Sequence, residues 1–372
     1  MKKRCVSAVI IVLSVMMLLC CEAFGDDGSV FFEGKALPGG IRLINETEYA
    51  DLAEIADAEG FQLRHETGSA EFSFDWRLGT AVLRDGSDVI NYLGEDRILE
   101  TPALSDGTDR LLVPVSSFCE ALEIGTYYDA EFSNLYCTAG AGDWELPGGY
   151  NVAVMMYHAT GHADAGSNLV MPPESLDDQL KYITENGYTT IGFEDLWNVA
   201  NISKPVILVF DDGWSNNYSY LPGLLEKYDC KATIAVVEKF TDEDSHIHMT
   251  SAEVKELSDS GRVSIQSHTV THRELGLLSA EEQEYEMSES KLFITRLTGK
   301  EPFVLVYPTG SQNNTTLEVM TDYYRFGVKM LGRVYNTDSD PRLVFRFFPE
   351  NNTYINVYAN WLRSAFPEAK EE

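Results

Sequence analysis

The apolar run Val206-Ile207-Leu208-Val209-Phe210 stops at Asp211-Asp212-Gly213-Trp214. Five consecutive apolar residues, three of them β-branched, have the composition of a strand buried on both faces. Two carboxylates directly after it place charge at the carboxyl edge of a sheet, where α/β barrels keep their active sites. Adjacent side chains point in different directions, so one carboxylate can bind a cation while the other takes a proton. An N-capping aspartate in a strand-to-helix turn is the simpler alternative for either.

A second strand-like run, Val263 to Gln266, leads through Ser267 to His268-Thr269-Val270-Thr271-His272. Histidines four apart share a face of any helical turn, and neutral imidazoles are good ligands for zinc and similar metals. His158 and His162 have the same spacing, so the strand-end position is what singles out His268 and His272. Asp212, His268 and His272 together offer one oxygen and two nitrogens and leave positions open for water and substrate. That donor set suits a divalent ion, zinc first with cobalt or nickel as alternatives, in a hydrolytic site. Asp211 beside it is then the base that removes a proton from water.

The elements that must position these residues begin at about residue 151. Strand-like runs (Val152 to Tyr157, Val206 to Phe210, Thr233 to Val237, Val263 to Gln266, Phe303 to Val306, Phe326 to Met330) alternate with helix-like stretches (Pro173 to Asn186, Ser251 to Ser260, Ala280 to Leu297). Apolar strands separated by helices imply a parallel sheet covered on both faces. About seven such units favour a barrel, so the expected fold class is α/β, a (β/α)7 barrel over 151–366.

Residues 30–139 have a different texture. Tyr49, Leu52, Ile55 and Ala56 fall at helical spacing before Gly60-Phe61, and Val113, Val115, Phe118, Cys119 and Leu122 repeat the arrangement before Ile124-Gly125. Strand-like Glu71 to Phe74 and Leu135 to Cys137 follow each helix, so a smaller α+β domain with an internal repeat is expected. The pattern resembles the stalk module that precedes copper amine oxidases. It carries no implication of copper, since His65 is its lone histidine. Glycine and proline cluster at 140–150, the expected linker.

The chain has 372 residues, 28 basic and 59 acidic, for a formal charge of -31. Such acidity argues against nucleic-acid binding and adsorption to anionic membranes. Lys2, Lys3 and Arg4 precede an apolar stretch from Val6 to Cys21, with Ala23 and Gly25 offering a cleavage site, the layout of a signal peptide over 1–25. Export to the extracellular space or cell surface is the expectation; lipidation at Cys21 and an uncleaved anchor are the other readings of the segment. Beyond the leader stand Cys119, Cys137 and Cys230, of which the first two are either a local disulfide or free buried thiols. No obligate protein partner is inferred.

Taken in order, Phe210-Asp211-Asp212-Gly213, Ser267 to His272 and Tyr307-Pro308-Thr309-Gly310 resemble the first three motifs of the polysaccharide deacetylases with a NodB homology domain, carbohydrate esterase family four. The resemblance spans roughly Val152 to Arg363 and implies a distorted barrel. It implies that Asp211 is the catalytic base, that Asp212, His268 and His272 hold the metal, and that the backbone N–H of Thr309 stabilises an oxyanion. Tyr307 and Pro308 would help line the pocket, and Trp214 would stack on a sugar face or serve in packing.

Three departures from the family pattern matter. Val306 replaces the third-motif arginine, as in the exported poly-N-acetylglucosamine deacetylase-like subgroup, and Arg346 is a candidate to supply the charge instead. No histidine follows His272, so the family's late general acid is absent; His158, in the Tyr157-His158 pair also seen in that subgroup, is the candidate replacement. Asp338-Ser339-Asp340 matches the acidic fourth motif only loosely. His162, His246 and His248 are expected in exposed loops. The function implied is removal of N-acetyl groups from an acetylated, N-acetylglucosamine-type polysaccharide. An O-acetyl esterase, or a carbohydrate-binding scaffold whose barrel has lost activity, are the alternatives.

Overall fold

Residues 29–105, 109–162, 167–241, 246–330 and 332–367 are described by a computed structural model. The leader expected at 1–25 lies outside the described residues. The chain divides into two units, Met1–Gly142 and Asp143–Glu372.

In the first unit, strand β1 (Val30–Phe32) is followed by β2 (Thr47–Asp51) and helix α1 (Leu52–Glu59). Asp51 caps α1 by accepting from the Ala53 N–H at 2.9 Å, and Gly60 ends it at φ 81°, a left-handed corner that glycine adopts without a Cβ penalty. A meander of β3 (Glu71–Trp76), β4 (Gly79–Arg84), β5 (Val89–Tyr92) and β6 (Glu95–Ile98) comes next. Then β7 (Leu111–Pro114), α2 (Val115–Ala121) and the hairpin β8 (Gly125–Asp129) and β9 (Asn134–Thr138) complete the unit.

Strand, helix and antiparallel strands therefore occur twice, and the two leading strands pair with one another, Val113 opposite Ala50. Leu52, Ile55, Phe74 and Phe118 are fully buried between these layers. Cys119 and Cys137 are buried free thiols, with Cys119 on α2 and Cys137 on β9.

The second unit runs β10 (Asn151–Tyr157), α3 (Pro173–Glu185), β11 (Thr189–Ile191), β12 (Pro205–Phe210), α4 (Ser215–Tyr228), β13 (Ala232–Val236), α5 (Ser251–Asp259), β14 (Val263–Ser267), α6 (Ala280–Thr298), β15 (Val304–Val306), β16 (Phe326–Lys329), β17 (Val344–Phe345) and α7 (Ile355–Ala365). Parallel pairing proceeds β10-β12-β13-β14-β15-β16-β17, and β11 pairs with the start of β12. Phe347, just past β17, bridges in parallel to Met155 on β10, with Met156 N donating to Phe347 O at 2.7 Å and Phe347 N to Val154 O at 2.8 Å. That bridge closes the sheet into a distorted barrel of seven parallel strands among the described residues.

Every residue of β12 is buried, as its unbroken apolar text requires. Each such side chain removed from water contributes about 1.5–3 kcal/mol before entropy is subtracted. α6 starts at a capping box, Ser279 Oγ accepting from Glu282 N at 3.3 Å and Glu282 Oε2 accepting from Ser279 N at 2.9 Å. It ends at Gly299, φ 75°. Three helices escaped the periodicity reading: α4, α7 and the short Asn314–Val319. α4 contains Pro222, and one of its three buried positions at four-residue spacing, Asn217, is polar beside Leu221 and Leu225. α7 follows a short strand of only two residues.

The expected linker needs correction. Trp144 is 2% exposed, the Arg325 guanidinium lies 3.8 Å over its ring, and Phe326 packs 6.1 Å away. Residues from Asp143 onward therefore belong to the packing of the second unit, because an indole has too much apolar area to leave in a tether. No helix among the described residues is long and apolar enough to cross a membrane.

Candidate metal centre

The end of β12 shows why two adjacent aspartates diverge. Asp211 continues the ladder, its N–H donating to Tyr157 O at 2.9 Å, and the residue is only 3% exposed. The backbone then turns left-handed at Asp212, φ 71°, and Gly213, φ 73°, which swings Asp212 away from its neighbour. A Cβ at Gly213 would press on Val236 at 3.3 Å, so the tight turn needs glycine for space as well as for conformation.

Asp212 Oδ1 lies 3.4 Å from His268 Nε2 and 3.4 Å from His272 Nε2. The three ligand atoms all fall within 4.8 Å of one another, the one such cluster among the described residues. The His268 Nδ1–H donates to the Val306 carbonyl at 2.7 Å; a carbonyl can only accept, so the tautomer is set and Nε2 presents its lone pair to the cluster. Asp212 Oδ2 accepts from Trp214 Nε1 at 3.0 Å. Asp212 Oδ1 is buried with no hydrogen-bond donor among the described residues, an oxygen desolvated for a partner other than a protein N–H. One carboxylate oxygen and two imidazole nitrogens converging on one point fit a divalent ion of the zinc type.

The histidine segment is not the helical turn that its spacing suggested. It is a loop with left-handed corners at Thr269, φ 70°, and His272, φ 61°. Ser267 Oγ accepts from Thr269 N at 3.1 Å and Thr269 Oγ1 accepts from His272 N at 3.1 Å, so hydroxyls replace the helical ladder. Burial opposes a charge on His268, yet the nearby Asp212 and Asp211 carboxylates outweigh it and raise its pKa above the ordinary imidazole value in the metal-free protein. Asp212 is also desolvated, but His268 and His272 hold its carboxyl well below the usual range.

Arg346 sits beside Asp211. Its Nη1 and Nη2 meet Asp211 Oδ1 and Oδ2 at 2.6 and 2.9 Å, and it is 1% exposed. A buried carboxylate and a buried guanidinium thus compensate one another in a fork-to-fork pair. The guanidinium comes from the residue just beyond β17.

His158 follows β10 with its ring edge-on to Phe348 at 5.7 Å. Its Nδ1 is buried with no hydrogen-bond partner among the described residues. Burial lowers its pKa while Asp211 and Asp212 pull it up, with burial prevailing. Thr309 stands at a left-handed corner, φ 56°, in the turn after β15, the strand whose Val306 anchors His268.

The fold sets the surroundings of Tyr307, Pro308, Trp214 and His248. Tyr307 is fully buried, its hydroxyl donating to Arg342 O at 2.9 Å and contacting Met320 Sδ, and Pro308 is buried as well. Tyr307 packs in a cluster with Leu305, Met287 of α6, Met320 and Tyr324, between the sheet and its helices. Trp214 is half-buried and holds Asp212 through its indole N–H. His248 is not an exposed loop residue: it packs 4.9 Å from Trp214 and 4.6 Å from Phe240, in a backbone bridge with Trp214. Burial lowers its pKa, against the pull of Asp212. Its position in the loop after β13, on the same sheet edge as Asp212, is the signal that could have nominated it. His162 and His246 are exposed, and His65 stacks on Phe72 at 3.9 Å within the first unit.

Residues 198–325 match the family model described as polysaccharide deacetylase. The chain is 31% identical over 181 residues to the putative polysaccharide deacetylase YxkH of Bacillus subtilis, covering 47% of this chain and 63% of that protein. It thus spans less than two thirds of that relative. Among solved structures, the deacetylase PplD of Streptococcus pyogenes, in complex with acetate, is similar at 27% identity and TM-score 0.54, over 58% of this chain and 99% of that one. The polysaccharide deacetylase BC0361 of Bacillus cereus, at 20% identity and TM-score 0.54 over 81% of this chain and 98% of its own, shares the fold.

Proposed function

We propose that this chain, whose residues 198–325 match the polysaccharide deacetylase family model, is an exported metal-dependent hydrolase that removes N-acetyl groups from an N-acetylglucosamine-type polysaccharide of the cell surface or extracellular matrix. The observation that carries the reading is the convergence of Asp212, His268 and His272 next to a separate, buried Asp211. The acetate held by the similar PplD structure is the acid that a deacetylation releases.

A divalent ion held by Asp212, His268 and His272, zinc first and cobalt or nickel as alternatives, would polarise the acetyl carbonyl and ease ionisation of water. Asp211 takes the proton from the attacking water, oriented by the Arg346 fork. The Thr309 N–H, in the turn after β15, donates to the oxygen that gains charge at the acetyl carbon. His158 gives a proton to the departing amine, which cannot leave as an anion. Trp214 and Val306 keep Asp212 and His268 in place.

Arg346 against Asp211 favours an enzyme over a scaffold that has lost activity, because a buried ion pair with no chemical role is costly to keep. The O-acetyl esterase alternative shares every residue named here and differs only in leaving group. The test is acetate release from N-acetylglucosamine oligomers, peptidoglycan, poly-N-acetylglucosamine and acetylated xylan, with and without chelator. Asp211→Asn should keep the metal and lose turnover, while Asp212→Asn, His268→Ala and His272→Ala should lose the metal itself. Chelator-insensitive acetate release, or unchanged metal content in the histidine variants, would overturn the reading.

A further inference from the structure

The loop that carries both histidines is gripped from behind by a carboxylate outside the ligand set. Glu286 lies on α6 and is 1% exposed. Its Oε2 accepts from the main-chain N–H groups of Val270 at 2.9 Å and Thr271 at 2.8 Å, and its Oε1 accepts from the Thr271 hydroxyl. All three donors lie between His268 and His272. One turn along the same helix, Ser290 Oγ is 2.8 Å from Ser267 Oγ, the oxygen that also takes the Thr269 N–H. Positions four apart share a helix face, so α6 presents two neighbouring anchors to the loop and to the strand end that precedes it.

The anchors answer a specific need. Thr269 and His272 both adopt left-handed backbone that non-glycine residues avoid, and such conformations persist only where the surroundings over-determine them. Conversely, a carboxylate buried at Glu286 is costly without donors, and these three supply them. Helix and loop therefore lock one another.

We propose that Glu286 is a positioning residue of the metal centre: by fixing the backbone at Val270 and Thr271 it sets the separation of His268 and His272 and preorganises their Nε2 atoms for a divalent ion. The proposal rests on the metal-centre reading above. Supporting groups one layer behind metal ligands commonly change affinity by 10–100-fold when removed.

The full chain, stripped of metal, is titrated with zinc against a chromophoric chelator, well below the melting temperature of each variant followed by circular dichroism. Glu286→Ala should bind zinc about 10–100-fold more weakly than the parent. Glu286→Gln should lie closer to the parent, since its amide oxygen can keep both main-chain bonds and its NH2 can donate to the Thr271 hydroxyl oxygen. Thr271→Val, which removes only the hydroxyl donor, should weaken zinc by a few-fold, roughly the effect of one lost hydrogen bond. A folded Glu286→Ala that binds zinc like the parent overturns the proposal. Should Glu286→Ala fail to fold, parental affinity in both Glu286→Gln and Thr271→Val overturns it, and graded loss in the two supports it. A parent protein that binds no zinc would instead defeat the metal-centre reading on which the proposal stands.

Discussion

Arg346 and Asp211, 135 positions apart in the chain, form a buried two-point ion pair at 2.6 and 2.9 Å. Removing the cation alone leaves a desolvated carboxylate, so Arg346→Met should destabilise the protein by about 3–5 kcal/mol. Arg346→Lys should recover only part of this, because an ammonium cannot form the fork. Arg346→Met combined with Asp211→Leu should recover much of the stability and none of the turnover. Urea denaturation of the four proteins checks the order, and a destabilisation by Arg346→Met below about 1 kcal/mol, no more than an exposed pair contributes, would show that the pair is solvated in solution.

Metal affinity should depend on pH through His268. Its pKa is raised in the metal-free fold, so the imidazolium stabilises that state below about pH 6.5, its unfolded value, and the contribution disappears as pH rises through the higher folded value. Ligation needs the neutral ring, so zinc affinity should weaken as pH falls, starting above the ordinary imidazole range. Zinc titrations in buffers of different ionisation enthalpy count the proton released. The metal-free protein should lose melting temperature as pH rises through that window, and His268→Gln should abolish this melting-temperature trend.

His158→Ala should hold zinc normally yet slow amide hydrolysis by roughly a hundredfold or more, the range for losing a general acid. Ester substrates should suffer less, because an alkoxide leaves more readily. Burial lowers the His158 pKa, so the protonated fraction falls already below the usual imidazole value and the alkaline limb of the amide profile should begin early. That limb should vanish in His158→Ala. Parental amide turnover in the variant would make His158 a packing residue.

The barrel unit should be separable only with its leading residues. A chain beginning at Asp143 keeps Trp144 beneath the Arg325 guanidinium, whereas one beginning at Tyr150 lacks that ring and its contact with Phe326. The longer form should melt several degrees higher, and Trp144→Ala in it should lose most of the difference, in line with about 3–5 kcal/mol for a buried tryptophan. Equal melting curves for the two forms would return 143–149 to the role of a tether.

Much of this molecule is legible locally. Unbroken apolar runs marked β10 and β12, and the carboxylates and histidines stood at strand ends because polar groups there interrupt a pattern that is otherwise apolar. Those signals span a few residues, since periodicity and turn chemistry are properties of neighbours. The partners of the site residues are not. The turn at Asp212 and Gly213 is what brings the Trp214 N–H to Oδ2, and it is the tertiary packing that buries the Tyr307 ring. Glu286 and Trp144 carried no local mark, because a polar or aromatic residue in a loop or helix looks the same whether it faces water or a neighbour. Closure of the barrel between Phe347 and Met155 brought Arg346 beside the Asp211 carboxylate, and only that long-range packing decided which charge would neutralise which.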